Sequence, residues 1–477
     1  MAKDLRSYLS ELTHTYPDSL KVVDHEVDPR FGITAYASRL AQDGQHPGLL
    51  FTNVKGSELS CISNVLTEYE RIALYLGCEV EDIPRVYGEL LKAPIAPIEV
   101  EKQAATVKEV VIEGDDIDLG KLPIPVHNEQ DGGPYLSAGV MVIRDPDSGE
   151  INAGIYRHQI FNAKEMGVWF LGAHHGGLIY KKYKKQGKPA PIAIVLGHHP
   201  GFVMGSVSRI QGIGGEYAAA GALMGEPLEL VAADTSDLLV PAHAEIILEG
   251  EILPDHEQVE GPFGEWPGHY LGGGSVPTIR ITRITHRRHA IFQDIVASSR
   301  EHLVVGGVPR SGSIYHTVKD VVPSLKAVHV PFYARMHCYI SLHKEREADV
   351  KKAAFAALNT EQENLRHIFV VDDDINVFNE EEVAWAMGTR FDAERDLLVI
   401  PKWNGPGGLL PTNWEYHADG KNTPRMSSAI IVDATKPAPP IVFPKRAVVP
   451  ADHVGLADLD ALRGITEEEK RKWLTNE

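Results

Sequence analysis

Residues 259–270 read VEGPFGEWPGHY and place two glutamates, Glu260 and Glu265, on either side of Gly-Pro-Phe-Gly. Proline fixes φ and glycine admits backbone angles closed to other residues, so the spacing predicts a tight turn that holds the carboxylates in fixed relation. Glutamate has no role in making turns. The pair is therefore either part of a solvated loop or a carboxylate couple for proton transfer, with environments that separate the two pKa values. A second stretch, INAGIYRHQIFNAKEMGVWF at 151–170, carries Asn152, Arg157 and His158. Read as one strand, the five-residue step from Asn152 to Arg157 puts them on opposite faces unless a bulge intervenes. Alone, a strand arginine reads more readily as a surface ion pair than as a catalytic group.

Three further stretches bear on ligands. LGAHHGGLIY sets His174 and His175 before a helix, and LGHHPG at 196–201 holds another histidine pair. Without a second ligand cluster both pairs read as structural. In MGSVSRIQGIGGEYAAAGALMG, residues 204–225, Gly205, Ser206 and Ser208 could offer N–H groups and hydroxyls to a phosphate, with Arg209 beside them. Glu216 opens the helix that follows; it either complements the helix dipole or joins Asn152 and His175 around a hard cation. The acidic run in VVDDDINVFNEEEVAWAM, 370–387, reads as a strand end, a capping turn and an acidic first helical turn.

The elements that must position these groups change character along the chain. Residues 1–107 alternate helix and strand, beginning with an amphipathic helix in MAKDLRSYLSELTHTY. From about 108 the texture is rich in β-branched runs bounded by turn residues, with DPDSGE at 145–150 as a hairpin turn. A sheet curled into a barrel, interrupted by the helices GGLIYKKYKKQG and GEYAAAGALMG, is the natural reading of 108–305. A linking helix is expected over 306–328, starting near 312, then a second α/β unit over 329–440 and a Pro-rich tail with a charged helix over 441–477. The fold class is thus α+β.

Bulk numbers narrow the function. A net charge of −19 argues against a general nucleic-acid surface and makes any anionic substrate depend on a local cationic pocket. The three cysteines form no CxxC pair, which speaks against a zinc ribbon or a disulfide framework and fits a reducing cytosol. No run approaches the ~18 apolar residues of a membrane span, so a cytoplasmic enzyme without membrane contact is expected.

Taken together, Asn152-x4-Arg157, His175, Glu216 before AAAGALMG, EGPFGE, VVDDDINVF and VDAT at 432–435 resemble the UbiD-type decarboxylases that use prenylated flavin mononucleotide. The likeness spans nearly the whole chain and implies a split β-barrel flavin domain followed by an oligomerisation domain. It implies that Arg157, Glu260 and Glu265 form the catalytic triad, with Glu265 as proton carrier at the reacting carbon. It implies Asn152, His175 and Glu216 as ligands of a divalent ion, usually manganese, with potassium as a further candidate. Ile155, Tyr156, Arg157, His174, Ser206, Val207 and Ser208 would contact the cofactor, together with Asn152 and Glu216. Loss of CO2 from an sp² carbon would leave a carbanion that no side chain can stabilise, hence the cofactor. A carboxyl in a dry pocket has a raised pKa and can carry the proton near neutrality.

Two features refine the likeness. In REHLVVGGVPRSGS, 300–313, His302 and Arg310 are similar to a pair that serves the far carboxylate in furan-2,5-dicarboxylate decarboxylases. A bidentate arginine suits such a group, so furan-2,5-dicarboxylate is the leading substrate, ahead of hydroxybenzoates, pyrroles and indoles. Many relatives have a lysine on the cofactor phosphate where Ala429 stands here; Arg209, Lys421 or Arg425 are the candidates to replace it. The family also implies a homodimer, with hexamers among relatives, and a flavin prenyltransferase as cofactor supplier. A flavin-binding or assembly subunit without turnover is the reading outside this class.

Overall fold

In the computed structural model the described residues are 2–170, 174–208, 215–360, 365–404, 408–418, 421–454, 456 and 461–474. Met1–Thr435 form one compact unit, and Lys436–Glu477 a second one that carries the helices Ala451–Val454 and Glu467–Leu474.

The centre of the first unit is an antiparallel sheet. Its strands run Glu165–Gly167, Ser275–His286, Ile246–Val259, Ala190–Leu196, Val140–Arg144 and Ile151–Ile155, and Val110–Glu113 also pairs with Ser275–His286. The path is open, since its two end strands are not paired with each other. Alternation along Ala190–Leu196 explains why the strand is apolar on every residue. Ile192, Ile194 and Leu196 enter one core with Met141 and Ile143, while Ala193 and Val195 enter another with Val140 and Val142. Successive side chains point to opposite faces, so burying both faces demands a continuous apolar run. The helix His175–Lys185 sends Ile179 and Tyr180 into the first core, and Glu216–Met224 sends Tyr217, Ala220 and Met224 into the second.

Two smaller sheets flank the centre. Leu20–Val23, Gly48–Phe51 and Ser60–Ser63 form one, and Ile291–Gln293 joins it parallel to Ser60–Ser63, which ties the end of the central region to the N-terminal one. The other has the order Leu325–His329, His337–Leu342, His367–Asp372, Ser427–Ala434 and Leu397–Asn404. The acidic run after His367–Asp372 caps the helix Glu380–Arg390, where the Asn379 side chain accepts from Glu381 N–H. That matches its structural reading.

Two expectations give way. The linking helix begins at Arg300 and runs to Val321, so His302 and Arg310 lie on it and Gly306, Gly307 and Pro309 do not break it. Arg335 packs directly over Gly306, where a Cβ would fall 2.1 Å from the guanidinium carbon. Gly-Pro-Phe-Gly is not a turn either; Pro262–Gly264 is a strand paired antiparallel with Tyr270–Gly272, and the reversal follows Glu265. Its glycines are fixed by close approach. A Cβ on Gly261 would sit 2.5 Å from the Gly132 Cα, and one on Gly264 would sit 2.3 Å from the Asn128 amide.

Candidate active site

The strand carrying Asn152 stops at Ile155, and His158–Gln159 pairs instead with Tyr135–Leu136 in a separate two-stranded sheet. Strand parity therefore ends before Arg157, and its side chain turns to the hairpin. Arg157 meets both glutamates. Its Nε and Nη2 donate to Glu260 Oε1 and Oε2 at 2.9 and 2.6 Å, and Nη1 donates to Glu265 Oε1 at 2.6 Å. All three groups are buried, with Glu260 1% and Glu265 6% exposed. The guanidinium carbon lies 3.9 Å from the Trp169 ring centre and 5.4 Å from that of Phe263. Two carboxylates thus share one buried cation.

Burial pushes the Glu260 carboxyl above its ordinary value; Arg157 opposes this and Glu265 reinforces it, and the net shift is upward. Burial alone would lower Arg157, but the two glutamates more than offset it and its pKa is raised.

The hairpin is braced from behind by residues 127–135. Asp131 accepts from Gly264 N–H at 2.9 Å on one oxygen, and from the N–H groups of His127 and Asn128 at 3.2 and 2.8 Å on the other. Tyr135 donates its hydroxyl to Gly261 O at 3.0 Å, and Gln159 Oε1 accepts from Gly261 N–H at 2.7 Å. At Glu265 itself, the carbonyl accepts from Gly268 N–H at 2.9 Å and from the Ser298 hydroxyl at 2.6 Å. The main chain of the second glutamate is pinned from two sides.

A second cluster stands around Glu216. Asn152 Nδ2 donates to Glu216 Oε1 at 2.9 Å, and the Tyr156 hydroxyl donates to Asn152 Oδ1 at 3.3 Å while accepting from Gly176 N–H at 3.1 Å. Glu216 Oε2 is buried with no hydrogen-bond partner among the described residues, and burial raises this carboxyl. A buried carboxylate oxygen left open fits a cation. His174 is exposed at the start of the helix His175–Lys185, its ring 6.1 Å from that of Tyr156, and His175 hydrogen-bonds neither Asn152 nor Glu216. Among the described residues no group of three or more His, Cys, Asp or Glu converges as a metal site; the expected set is mixed, one Asn, one His and one Glu. The histidines of LGHHPG are buried neutral, each pushed down to about 3, and the ring of His199 accepts from Gly201 N–H.

Ser206 and Ser208 donate their hydroxyls to the carbonyls of Val203 and Met204 at 2.7 and 2.9 Å, and Val207 ends the helix between them. Their protons are thereby used within the helix. Arg209 lies outside the described residues. Ala429 is fully buried in the apolar core of the C-terminal sheet, where a lysine ammonium would sit among aliphatic side chains; Lys421 and Arg425 are exposed.

His302 is half-buried on the first turn of the Arg300–Val321 helix, and its Nδ1 accepts from Ser298 N–H at 3.4 Å. Burial pushes it down to about 4 against the opposing pull of Glu265. Arg310 is 5% exposed on the same helix. Eight residues at ~1.5 Å each put its backbone about 12 Å further along the helix axis than that of His302.

Comparison with known proteins places this geometry. The chain matches the N-terminal, Rift-related and C-terminal domains of 3-octaprenyl-4-hydroxybenzoate carboxy-lyase over residues 15–91, 98–300 and 303–410. The protein belongs to the UbiD family. It is 33% identical over 461 residues to the phenolic acid decarboxylase of Sedimentibacter hydroxybenzoicus, covering 93% of each chain. It is 33% identical over 417 residues to the anhydromevalonate phosphate decarboxylase of Methanosarcina mazei, covering 87% of this chain and 93% of the relative. Among solved structures, an evolved dimeric form of the UbiD-class enzyme HmfF from Pelotomaculum thermopropionicum, in complex with prFMN, superposes with a TM-score of 0.85 at 34% identity, over 97% of this chain and 100% of that one. UbiD-family membership makes this chain a decarboxylase, and its mixed α/β fold is that of the UbiD enzymes. Among the described residues no helix is long and apolar enough to cross a membrane.

Several residues that shape this UbiD-family site had no signal in the sequence. Trp169 and Trp266 flank the triad, the latter with its backbone N–H on Glu265 Oε2 at 3.3 Å. The Arg335 guanidinium lies 4.6 Å from the Trp266 ring centre, packs over Gly306 and reaches His302 O at 3.4 Å. It comes from a segment after the first strand of the C-terminal sheet, far from any motif. Asp131 and Ser298 sit in stretches of ordinary loop composition, so only the fold shows what they hold.

Proposed function

We propose that this chain is a prenylated-FMN-dependent, reversible decarboxylase of an aromatic or heteroaromatic acid, with furan-2,5-dicarboxylate giving 2-furoate and CO2 as the leading reaction. The observation that carries it is one buried guanidinium bridging two buried carboxylates. When bound, the prenylated flavin supplies the electron sink that an sp² carbanion needs. Asn152, His175 and Glu216 would hold a divalent ion, manganese first, with potassium a further candidate; the open oxygen of Glu216 supports that assignment. Ile155, Tyr156, Arg157, His174, Ser206, Val207 and Ser208 would line the flavin. Arg157 orients the departing carboxylate, Glu260 holds Arg157 by two parallel bonds, and Glu265 carries the single proton to and from the reacting carbon. Indole and phenyl rings around Arg157 exclude water from that transfer.

The far end of the substrate falls to His302 and Arg310 in this reading, with Arg335 the nearer cation to His302. A homodimer loaded by a flavin prenyltransferase, in the cytoplasm, completes it. The test is anaerobic CO2 release from furan-2,5-dicarboxylate, 2-furoate, hydroxybenzoates, pyrrole- and indole-carboxylates, with cofactor occupancy confirmed by mass. Glu265→Gln is expected to abolish release while cofactor still binds. Turnover retained in that variant removes Glu265 from the role. Arg310→Ala is expected to hurt a dicarboxylate far more than a monocarboxylate, and equal losses refute the dicarboxylate assignment.

A further inference from the structure

Ser298 occupies a backbone conformation that serine rarely adopts. Its φ is +59°, in the left-handed region. Ser299 N–H closes a turn onto Val296 O at 3.2 Å, so Ser298 is the third residue of a four-residue turn. With Ala297 at ordinary φ, that is the turn class in which glycine is the usual occupant of the third place. A non-glycine residue there is strained, and such outliers persist where the side chain is put to use.

Both polar groups of Ser298 face the site. The hydroxyl donates to Glu265 O at 2.6 Å, and the N–H points at His302 Nδ1 at 3.4 Å. A Cβ on Gly264 would lie 3.4 Å from the Ser298 Oγ, so the glycine keeps the hairpin clear of the serine side chain. An imidazole nitrogen that accepts an N–H carries no proton itself, which leaves the proton of the neutral ring on Nε2. Glu265, Arg335, His127 and Arg157 all act on the His302 ring electrostatically.

We propose that Ser298 is a positioning residue that couples two groups of the site: its hydroxyl fixes the main chain of Glu265, and its N–H fixes His302 in the form that presents Nε2–H as a donor. His302 then meets an anionic or hydroxylated substrate as a neutral hydrogen-bond donor, and the cationic part of recognition falls to arginine. This deepens the reading above and rests on Glu265 as the proton carrier.

The experiment compares Ser298→Gly and Ser298→Ala in the full chain. Glycine keeps the turn and its N–H, relieves the φ strain and removes only the hydroxyl; alanine removes the hydroxyl and keeps the strain. Ser298→Gly is expected to melt at or above the wild-type temperature and Ser298→Ala below it. Both are expected to lose about tenfold in kcat with KM changed by less than about twofold, because the lost bond positions the proton carrier. Independently, 15N-histidine NMR of the cofactor-free protein, with His302 assigned by its loss in His302→Asn, is expected to show the Nε2-protonated neutral tautomer at pH 7. Ser298→Gly is expected to retain that tautomer. Wild-type kcat in Ser298→Gly, activity that follows stability across the two variants, or a His302 ring protonated on Nδ1 would each overturn the proposal. If the loaded wild-type enzyme releases CO2 from none of the acids, the reading of the reaction fails, while the stability and NMR arms still decide what Ser298 does.

Discussion

Removing Arg157 should make the stability of this protein depend steeply on pH. In the wild-type chain Glu260 and Glu265, 1% and 6% exposed, share that guanidinium through three bonds of 2.6–2.9 Å. Arg157→Ala leaves two carboxylates buried without their cation. Breaking a buried pair by removing one partner typically costs about 3–5 kcal/mol, and this change strips two acids at once. Glu260 then responds by holding its proton: it is already raised by burial in the presence of Arg157, and loses its largest opposing influence. A carboxyl whose folded pKa lies above its unfolded value lends stability below the unfolded pKa, and that stability is lost as pH rises through the folded pKa. Each unit of further elevation adds about 1.4 kcal/mol to the difference. The variant should therefore stand nearest to wild type around pH 5 and fall furthest behind above pH 7. Alanine also takes the cation from the Trp169 face, a loss that does not vary with pH, so the slope is the diagnostic quantity. Urea unfolding of the cofactor-free protein, followed by tryptophan fluorescence from pH 5 to 8, reads it directly. A deficit below about 1 kcal/mol at pH 7, or one of several kcal/mol that is flat across the range, would refute the reasoning.

The other predictions concern the mount and the helix behind it. Gly261→Ala puts a methyl group 2.5 Å from the Gly132 Cα, backbone against backbone, so the hairpin must move; kcat/KM should fall at least about tenfold, while Gly274→Ala, whose Cβ meets nothing within 4 Å, should stay near wild type. Equal effects would mean that the close approach does not set the position of Glu265. Glu301 is fully buried, accepts from Leu66 N–H at 2.7 Å, leaves its other oxygen without a partner among the described residues, and is pushed by burial from 4.5 up to about 8. Its contribution to stability is full below pH 4.5 and lost as pH rises through about 8, so wild type should weaken between those limits by a few kcal/mol more than Glu301→Gln, read from urea midpoints at stepped pH.

Much of this organisation was legible because it rests on local physics. The apolar strands, the hairpin turn at 145–150 and the helices beginning at His175 and Glu216 follow from periodicity and punctuation, and each appears near its expected bounds. Arg157, Glu260 and Glu265 were legible as a set only through the family resemblance, because the alternation rule applied to one continuous strand would have sent Arg157 away from Asn152. The chain defeats that rule by ending the strand at Ile155 and pairing His158–Gln159 elsewhere.

What stayed illegible depends on contacts between distant segments. Gly-Pro-Phe-Gly has the composition of a turn, yet its glycines serve the approach of residues 128 and 132, which no local rule can register. Gly306, Gly307 and Pro309 look like helix breakers, yet the helix runs through them because tertiary packing outweighs local propensity, and Arg335 packs over Gly306. The same reasoning separates the two sequence-derived partners of the far carboxylate. His302 is tied to Glu265 through Ser298, whereas Arg310 stands about 12 Å further along the helix axis. In the proposed reading the second acid meets either Arg310 on the helix or Arg335, which reaches His302 O and packs on Trp266. The split between dicarboxylate and monocarboxylate losses in Arg310→Ala and Arg335→Ala therefore decides which arginine reads the second acid: a selective dicarboxylate loss in Arg335→Ala alone would move that role off the helix and onto the segment packed against Trp266.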